Sequence, residues 1–118
     1  MNIGGGYNLS NIVVGQEYKV GTITINGTKY DRWFKVVDFG TLPNSTTKNV
    51  AHGITSYAGF LDIGGASLRS SDSTVIKLPH ISANVTISLV VTTTQISITS
   101  NSNVSAYDKS LVYLEYYR

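Results

Sequence analysis

Apolar and polar residues alternate with a period of two along much of this chain. The alternation is clearest over residues 20–25, 84–91 and 95–99. Such a period sends successive side chains to opposite faces of a β-strand. The 3.6-residue period of an amphipathic helix is not sustained over ten residues anywhere in the sequence. The pattern therefore predicts an all-β chain.

The clearest local signal is Asn26-Gly27, which stands between two extended segments. Asn-Gly is the favoured pair for a two-residue type I′ hairpin turn. The predicted register pairs Ile25 with Thr28, Ile23 with Tyr30, and Val20 with Trp33. It also predicts a core-facing side formed by Ile23, Ile25, Tyr30, Phe34 and Val36. Trp33, Val37 and Phe39 then share the wetter side, with a possible bulge at residues 36–38.

Turn signals divide the rest of the chain into further strands. Pro43 and Asn44 predict a corner between two strands, because Pro43 restricts Leu42 to extended geometry and Asn44 favours turns. Gly64-Gly65 predicts the start of a polar loop over residues 66–74, and residues 100–107 predict a second polar loop. We expect seven to nine strands in a single antiparallel β-sandwich domain, jelly-roll-like in arrangement, over residues 11–118. Residues 1–10, with three consecutive glycines, are expected to form a linker or arm.

Composition narrows the classes of function. The 118 residues include no cysteine, so disulfides, thiolate zinc sites and thiol nucleophiles are excluded. Nine basic and seven acidic residues are scattered singly, which argues against nucleic acid as a partner. The apolar runs are too short to span a bilayer, so no membrane insertion is expected. Charged residues make up 14% of the chain, against about 25% in ordinary domains.

Candidate catalytic and metal-binding residues are sparse, and we expect neither an enzyme nor a bound metal or cofactor. His52 and His80 are the two histidines that a hydrolytic triad would need as its base. His52 is interpreted as a buried imidazole hydrogen-bonded to a turn, and His80 as a loop residue. Asp38 is expected to accept hydrogen bonds from turn amides. The carboxylates cannot be paired from the sequence into a glycosidase site.

The segment VVDFGTLPNSTTKNVAHGI, with the hairpin before it and the closing VYLEYYR, resembles a domain of bacteriophage fibre and receptor-binding proteins. That family's motif, V-D-F-G-x-L-P-N-x-T-T-K-x-V-x-H-G-I, is matched from Asp38 to Ile54. The resemblance extends from about Tyr18 to Arg118 and implies a β-rich, trimeric module at the tip of a virion fibre. It also implies a structural corner formed by Asp38, Gly40, Pro43, Asn44, Lys48, His52 and Gly53.

Loop polarity, together with this resemblance, directs the functional expectation to the two polar loops. The expected ligand-binding residues are Arg69, Ser71, Asp72, Asn101, Asn103 and Tyr107. The predicted function is adsorption of a phage to a bacterial surface glycan or protein, by a homotrimer that also contacts other fibre or baseplate proteins. Such a protein is made in the host cytoplasm and becomes part of the virion. The alternative is a capsid or baseplate decoration or assembly domain that binds no receptor.

Overall fold

The computed structural model of the protein describes residues 12–118 and the backbone of residues 2–3 and 7–8. No helix of this described part is long and apolar enough to cross a membrane. The strands are β1 (Asn2–Ile3), β2 (Tyr7–Asn8), β3 (Glu17–Ile25), β4 (Thr28–Asp38), β5 (Thr47–Ala51), β6 (Gly59–Arg69), β7 (Thr74–Leu78), β8 (His80–Ile81), β9 (Thr86–Val91), β10 (Gln95–Ser100) and β11 (Tyr107–Tyr117).

Nine of these strands form two antiparallel sheets. The larger sheet has five strands in the order β3-β4-β11-β6-β7, and the smaller has four in the order β5-β10-β9-β8. The short strands β1 and β2 pair with each other. The structure thus confirms an all-β antiparallel sandwich of nine strands. The assignment of residues 1–10 to a linker or arm falls largely outside the described residues and stays a prediction.

The main hydrophobic core lies between the two sheets. Val112, Leu114 and Tyr116 of β11 project into it from the larger sheet, while Ile87, Ile96 and Ile98 project from the smaller one. All six side chains are at most 1% exposed. Because each such side chain contributes roughly 1.5–3 kcal/mol when buried, this layer is the main source of the fold's stability.

Next to its turn, the first hairpin has the strand pairing that Asn26-Gly27 predicts. Farther from the turn, the pairing differs from the prediction. Ile25 pairs with Thr28, and both turn residues have positive φ, 49° and 83°. The pairing of Val20 with Trp33 is wrong, because a bulge at Val20 makes Lys19 the partner of Trp33. No bulge occurs at residues 36–38, where β4 pairs regularly with β11.

The predicted orientation of β4 is also wrong. Val37 and Phe39 lie in the core between the sheets and Trp33 packs against it, whereas Phe34 and Val36 lie on the outer face of the larger sheet. Phe34 and Val36 are nevertheless buried, because Ile12, Val20 and Tyr113 pack over them. The strand is therefore apolar on both sides, and alternation alone could not show which side meets the second sheet.

Gly64 and Gly65 lie within β6 and do not open a loop, so that prediction is wrong. A Cβ at Gly64 would come within 2.6 Å of the Tyr113 hydroxyl, and one at Gly65 within 2.4 Å of the Leu111 carbonyl oxygen. The glycines are thus explained by close approach of β11. Residues 66–69 belong to the strand, and the turn that follows covers only residues 70–73.

Candidate functional site

A cleft opens between the two sheets at one end of the sandwich. We call it the inter-sheet cleft; its volume is about 270 Å³. Its lining comes from the larger sheet, the smaller sheet and the loop after β10, and consists of Arg69, Ile76, His80, Ser82, Val85, Ile87, Asn103, Val104 and Tyr107. Aliphatic side chains thus occur beside an imidazole, a hydroxyl, an amide, a phenol and a guanidinium. Small-molecule sites typically combine an apolar lining with a few polar groups in this way.

Arg69 ends β6 and is held in a fixed orientation. Its Nε and Nη2 donate to the two carboxylate oxygens of Asp72 at 2.9 and 2.7 Å. Nη2 also donates to the Thr74 hydroxyl at 3.2 Å, and Thr74 N donates to Asp72 at 3.1 Å. The hydrogen bonds from Arg69, with those from Thr74, lower the pKa of Asp72, and Asp72 raises the pKa of Arg69. The bidentate pair fixes the plane of the guanidinium.

Tyr107 begins β11, opposite Arg69 in the ladder. The guanidinium carbon of Arg69 lies 5.2 Å from the centroid of the Tyr107 ring, a cation–π arrangement. Asn103 lines the cleft beside them, and its Oδ1 accepts from the backbone and hydroxyl of Ser105. A cationic plane, an aromatic ring and an amide therefore converge on one small space.

The corner after β4 supports the loop that carries Asn103 and Tyr107. Leu42 N donates to the Tyr107 carbonyl at 3.0 Å, and Val104 N donates to the Pro43 carbonyl at 3.2 Å. Asn44 and Asn103 form an isolated β-bridge. The corner in the motif thus contacts the cleft loop directly and positions it.

The turn over residues 70–73 is anchored to β11 as well. Asp108 accepts from the backbone nitrogen of Ser70 at 3.0 Å and from its hydroxyl at 2.9 Å. These two hydrogen bonds lower the pKa of the Asp108 carboxyl, and the one from the Ser70 backbone has the larger effect. The turn after β6 is thereby tied to the first residues of β11.

The structure brings three of the six expected ligand-binding residues into the cleft, namely Arg69, Asn103 and Tyr107. Asp72 acts behind them by holding Arg69. Ser71 is exposed on the neighbouring turn and does not line the cleft. Asn101 does not line it either, because its Oδ1 accepts from Thr86 N at 2.9 Å and so extends the pairing at the start of β9.

Sequence reasoning missed the part of the cleft that the smaller sheet contributes. The sequence predicts His80 to be a loop residue, but it lies in the short strand β8 and lines the cleft with Ser82. The chain passes from β7 in one sheet to β8 in the other across Pro79. The proline marked the end of a strand, yet no signal showed that the next strand belongs to the opposite sheet.

The motif residues have visible structural roles. Gly40 N donates to Asp38 at 3.0 Å, and Lys48 Nζ donates to the carbonyls of Phe39 at 3.0 Å and Thr41 at 2.8 Å. Gly40 and Gly53 adopt positive φ, 78° and 68°, which glycine accommodates without strain. These contacts brace the passage between the two sheets.

His52 is the most deeply buried polar member of the motif, at 1% exposure. Its Nδ1 accepts from Ile54 N at 3.0 Å, so the proton is on Nε2, which donates to the Thr92 carbonyl at 3.0 Å. The ring packs edge-on against Tyr57 and Phe60. The imidazole thus joins the loop after β5 to the turn before β10.

In class, then, the molecule is an antiparallel β-sandwich with a small mixed polar and apolar cleft between its sheet ends. Comparisons of the chain with protein families, curated proteins and solved structures find no match.

Proposed function

We propose that this domain is a non-enzymatic adsorption module of a bacteriophage fibre, and that it binds a glycan of the bacterial surface in the inter-sheet cleft. The observation that carries the proposal is the fixed placement of Tyr107, Arg69 and Asn103 around one small cleft. The resemblance of residues 38–54 to fibre proteins supports the virion setting, including assembly with other fibre or baseplate proteins.

The cleft suits a sugar for a chemical reason. A pyranose has apolar C–H faces and a rim of hydroxyls, so it needs an aliphatic or aromatic surface next to polar groups. Ile76, Val85 and Tyr107 supply the apolar surface, and Asn103 and Ser82 supply polar atoms. Arg69 adds donors whose orientation is set before the ligand arrives, which reduces the entropy lost on binding.

A single cleft of this size would bind weakly, so the proposal includes a homotrimer at the fibre tip. Three linked clefts raise the effective concentration of each site at a surface of repeated glycans. Avidity of this kind can exceed the affinity of one site by about 10²–10⁴. The assay of binding must therefore present the domain at several copies per particle.

The test is binding of bead-displayed domain to a panel of bacterial strains, with Arg69→Ala and Tyr107→Ala as cleft variants. We expect binding to some strains, competition by glycan released from those strains, and a loss of about tenfold or more in bead binding for either variant. Lys19→Ala is the matched control, since Lys19 is also the cation of an exposed ion pair, with Asp31 at 3.2 Å. Equal binding by all four proteins would refute the use of the cleft.

A second candidate function is structural, a decoration or assembly domain that binds no receptor. The observation in its favour is an apolar groove on the outer face of the larger sheet, which offers a protein contact surface. On this alternative, a folded domain bound to beads adheres to no strain at any density.

A further inference from the structure

The outer face of the larger sheet carries a row of residues with opposite charges at its two ends. The ladder pairs Asp38 of β4 with Leu111 of β11, Leu111 with Ala66 of β6, and Ala66 with Lys77 of β7. All four residues are exposed. We call them the outer row. Within the described part of the chain, no salt bridge involves Asp38 or Lys77.

The middle of the outer row borders a groove with a volume of about 640 Å³. Leu68 lines the groove together with Val75 and Leu111, which are 61% and 46% exposed. The outer face of an antiparallel sheet is ordinarily polar. Asp108 and Lys109 also line the groove. The three apolar side chains nevertheless lie between Asp38 and Lys77, neither of which forms a salt bridge in the described part of the chain, and a hydrophobic middle with charged neighbours is typical of a contact surface.

We propose that the outer row is a twofold contact between two copies of this chain. A twofold axis that runs along the strands, between β11 and β6, reverses the order of the row in the second copy. Asp38 of each copy then faces Lys77 of the other. Leu111 of each copy faces Ala66 of the other, so that a large side chain meets a small one. The row is therefore complementary to itself in both charge and shape.

The size of the surface indicates how strong this contact is. Four strands at a spacing of about 4.8 Å span roughly 19 Å, and the apolar residues occupy two successive outward-facing rows, which span roughly 14 Å along the strands. The face then buries on the order of 300 Å² per copy, well under half of the ~800 Å² typical of a stable interface. The association is accordingly weak and depends on concentration. It is separate from a threefold assembly, whose symmetry cannot produce this pairing, and it does not depend on glycan binding.

Sedimentation equilibrium over a range of concentrations tests the proposal with two charge-reversal variants, Asp38→Lys and Lys77→Glu. Each variant alone places like charges opposite each other at both ends of the row. We expect at least tenfold weaker self-association for each. In a mixture of the two variants every facing pair again has opposite signs, so we expect the mixture to associate as strongly as the native chain.

The mixture also guards against a folding artefact, because a misfolded variant would not regain association when mixed. Leu111→Asp, at an exposed position, is expected to abolish association, and Lys29→Glu, also exposed but outside the row, to leave it unchanged. The native mass should rise with concentration from that of its smallest species towards twice that value, 12.8 kDa being one chain. A native mass that is constant with concentration, or mixed variants that fail to associate, would overturn the proposal and assign the groove to a different protein.

Discussion

Replacement of His52 by alanine should destabilise the fold strongly, although the residue lies in a loop. The substitution removes the acceptor of Ile54 N and the donor to the Thr92 carbonyl, both at 3.0 Å. Ile54 is 4% exposed, so its amide is left without a partner and without ready access to water. An unsatisfied buried donor costs about 1–3 kcal/mol.

Loss of the ring adds a second contribution. His52 is 1% exposed and packs against Tyr57 and Phe60, with ring centroids 6.4 and 6.0 Å away. Truncation of a buried ring leaves a cavity, and large-to-small core substitutions cost about 2–5 kcal/mol. Because the site can relax in part, we expect a total of about 3–5 kcal/mol for His52→Ala, a large fraction of the stability of a small domain.

His52→Asn separates the two contributions. Its side-chain oxygen can accept from Ile54 N, as asparagine commonly does two residues along the backbone. We therefore expect this variant to cost about 1–3 kcal/mol less than His52→Ala, the contribution of the unsatisfied amide, while the cost of the lost ring remains. Urea unfolding followed by the fluorescence of Trp33, the single tryptophan, measures both values. A cost below about 1 kcal/mol for His52→Ala, at unchanged denaturant dependence, would refute this reasoning.

Three further predictions concern the corner, β6 and the cleft. Lys48→Met should cost about 1–2 kcal/mol in the same urea assay, because the ammonium donates to two corner carbonyls; a neutral result would contradict its bracing role. Gly65→Ala should cost about 2–3 kcal/mol, since the new Cβ meets the backbone oxygen of Leu111 at 2.4 Å; unchanged stability would show that the strands can separate freely. Arg69 lowers the pKa of Asp72 in the folded state. The ionised Asp72 carboxylate therefore stabilises the fold above its unfolded-state pKa, near 3.8, and this stabilisation is lost as the pH falls through its folded-state pKa. Asp72→Asn should thus be less stable than the native chain at pH 7, with a difference that shrinks below about pH 4 in acid-unfolding curves; a difference independent of pH would contradict the pairing.

The sequence predicts strands and turns well where the signal is local. The Asn26-Gly27 hairpin is seen at its expected turn, and β9 and β10 lie within or close to the alternating segments 84–91 and 95–99. Both depend on turn chemistry and on short-range alternation, which act between neighbours in the chain. The strand after the corner is less well predicted, because the sequence indicates an extended segment from Val50 and β5 begins three residues earlier, at Thr47.

The sequence does not predict which face of a strand meets the second sheet. β4 has apolar residues on both sides. Those on the side opposite the core are also buried, because Ile12 and Tyr113 pack over them. Gly64 and Gly65 indicate a loop in the sequence for a related reason, since only the tertiary contact with Tyr113 and Leu111 explains their place in β6. The alternation of apolar and polar residues shows neither which face of β4 meets the second sheet nor how closely β11 approaches the glycines of β6.

The candidate site is only partly predicted, because local sequence patterns do not show which residues the fold brings together. Arg69, Asn103 and Tyr107 were accessible to sequence reasoning because polar loops at strand ends commonly carry function. His80 and Ser82 come from the opposite sheet, and only the fold brings them to the cleft. Asn101 satisfies the same loop pattern but is used for strand pairing with Thr86.

The most direct test of the proposed function is the binding of the bead-displayed native domain and of Tyr107→Ala to bacterial strains, measured side by side with Lys19→Ala. The account predicts adhesion of the native domain and of Lys19→Ala to the same strains, displaced by the released surface glycan, and loss of adhesion for Tyr107→Ala with the fold intact by circular dichroism. Undiminished, glycan-competed adhesion of Tyr107→Ala would contradict the account, because the ligand would then bind outside the inter-sheet cleft.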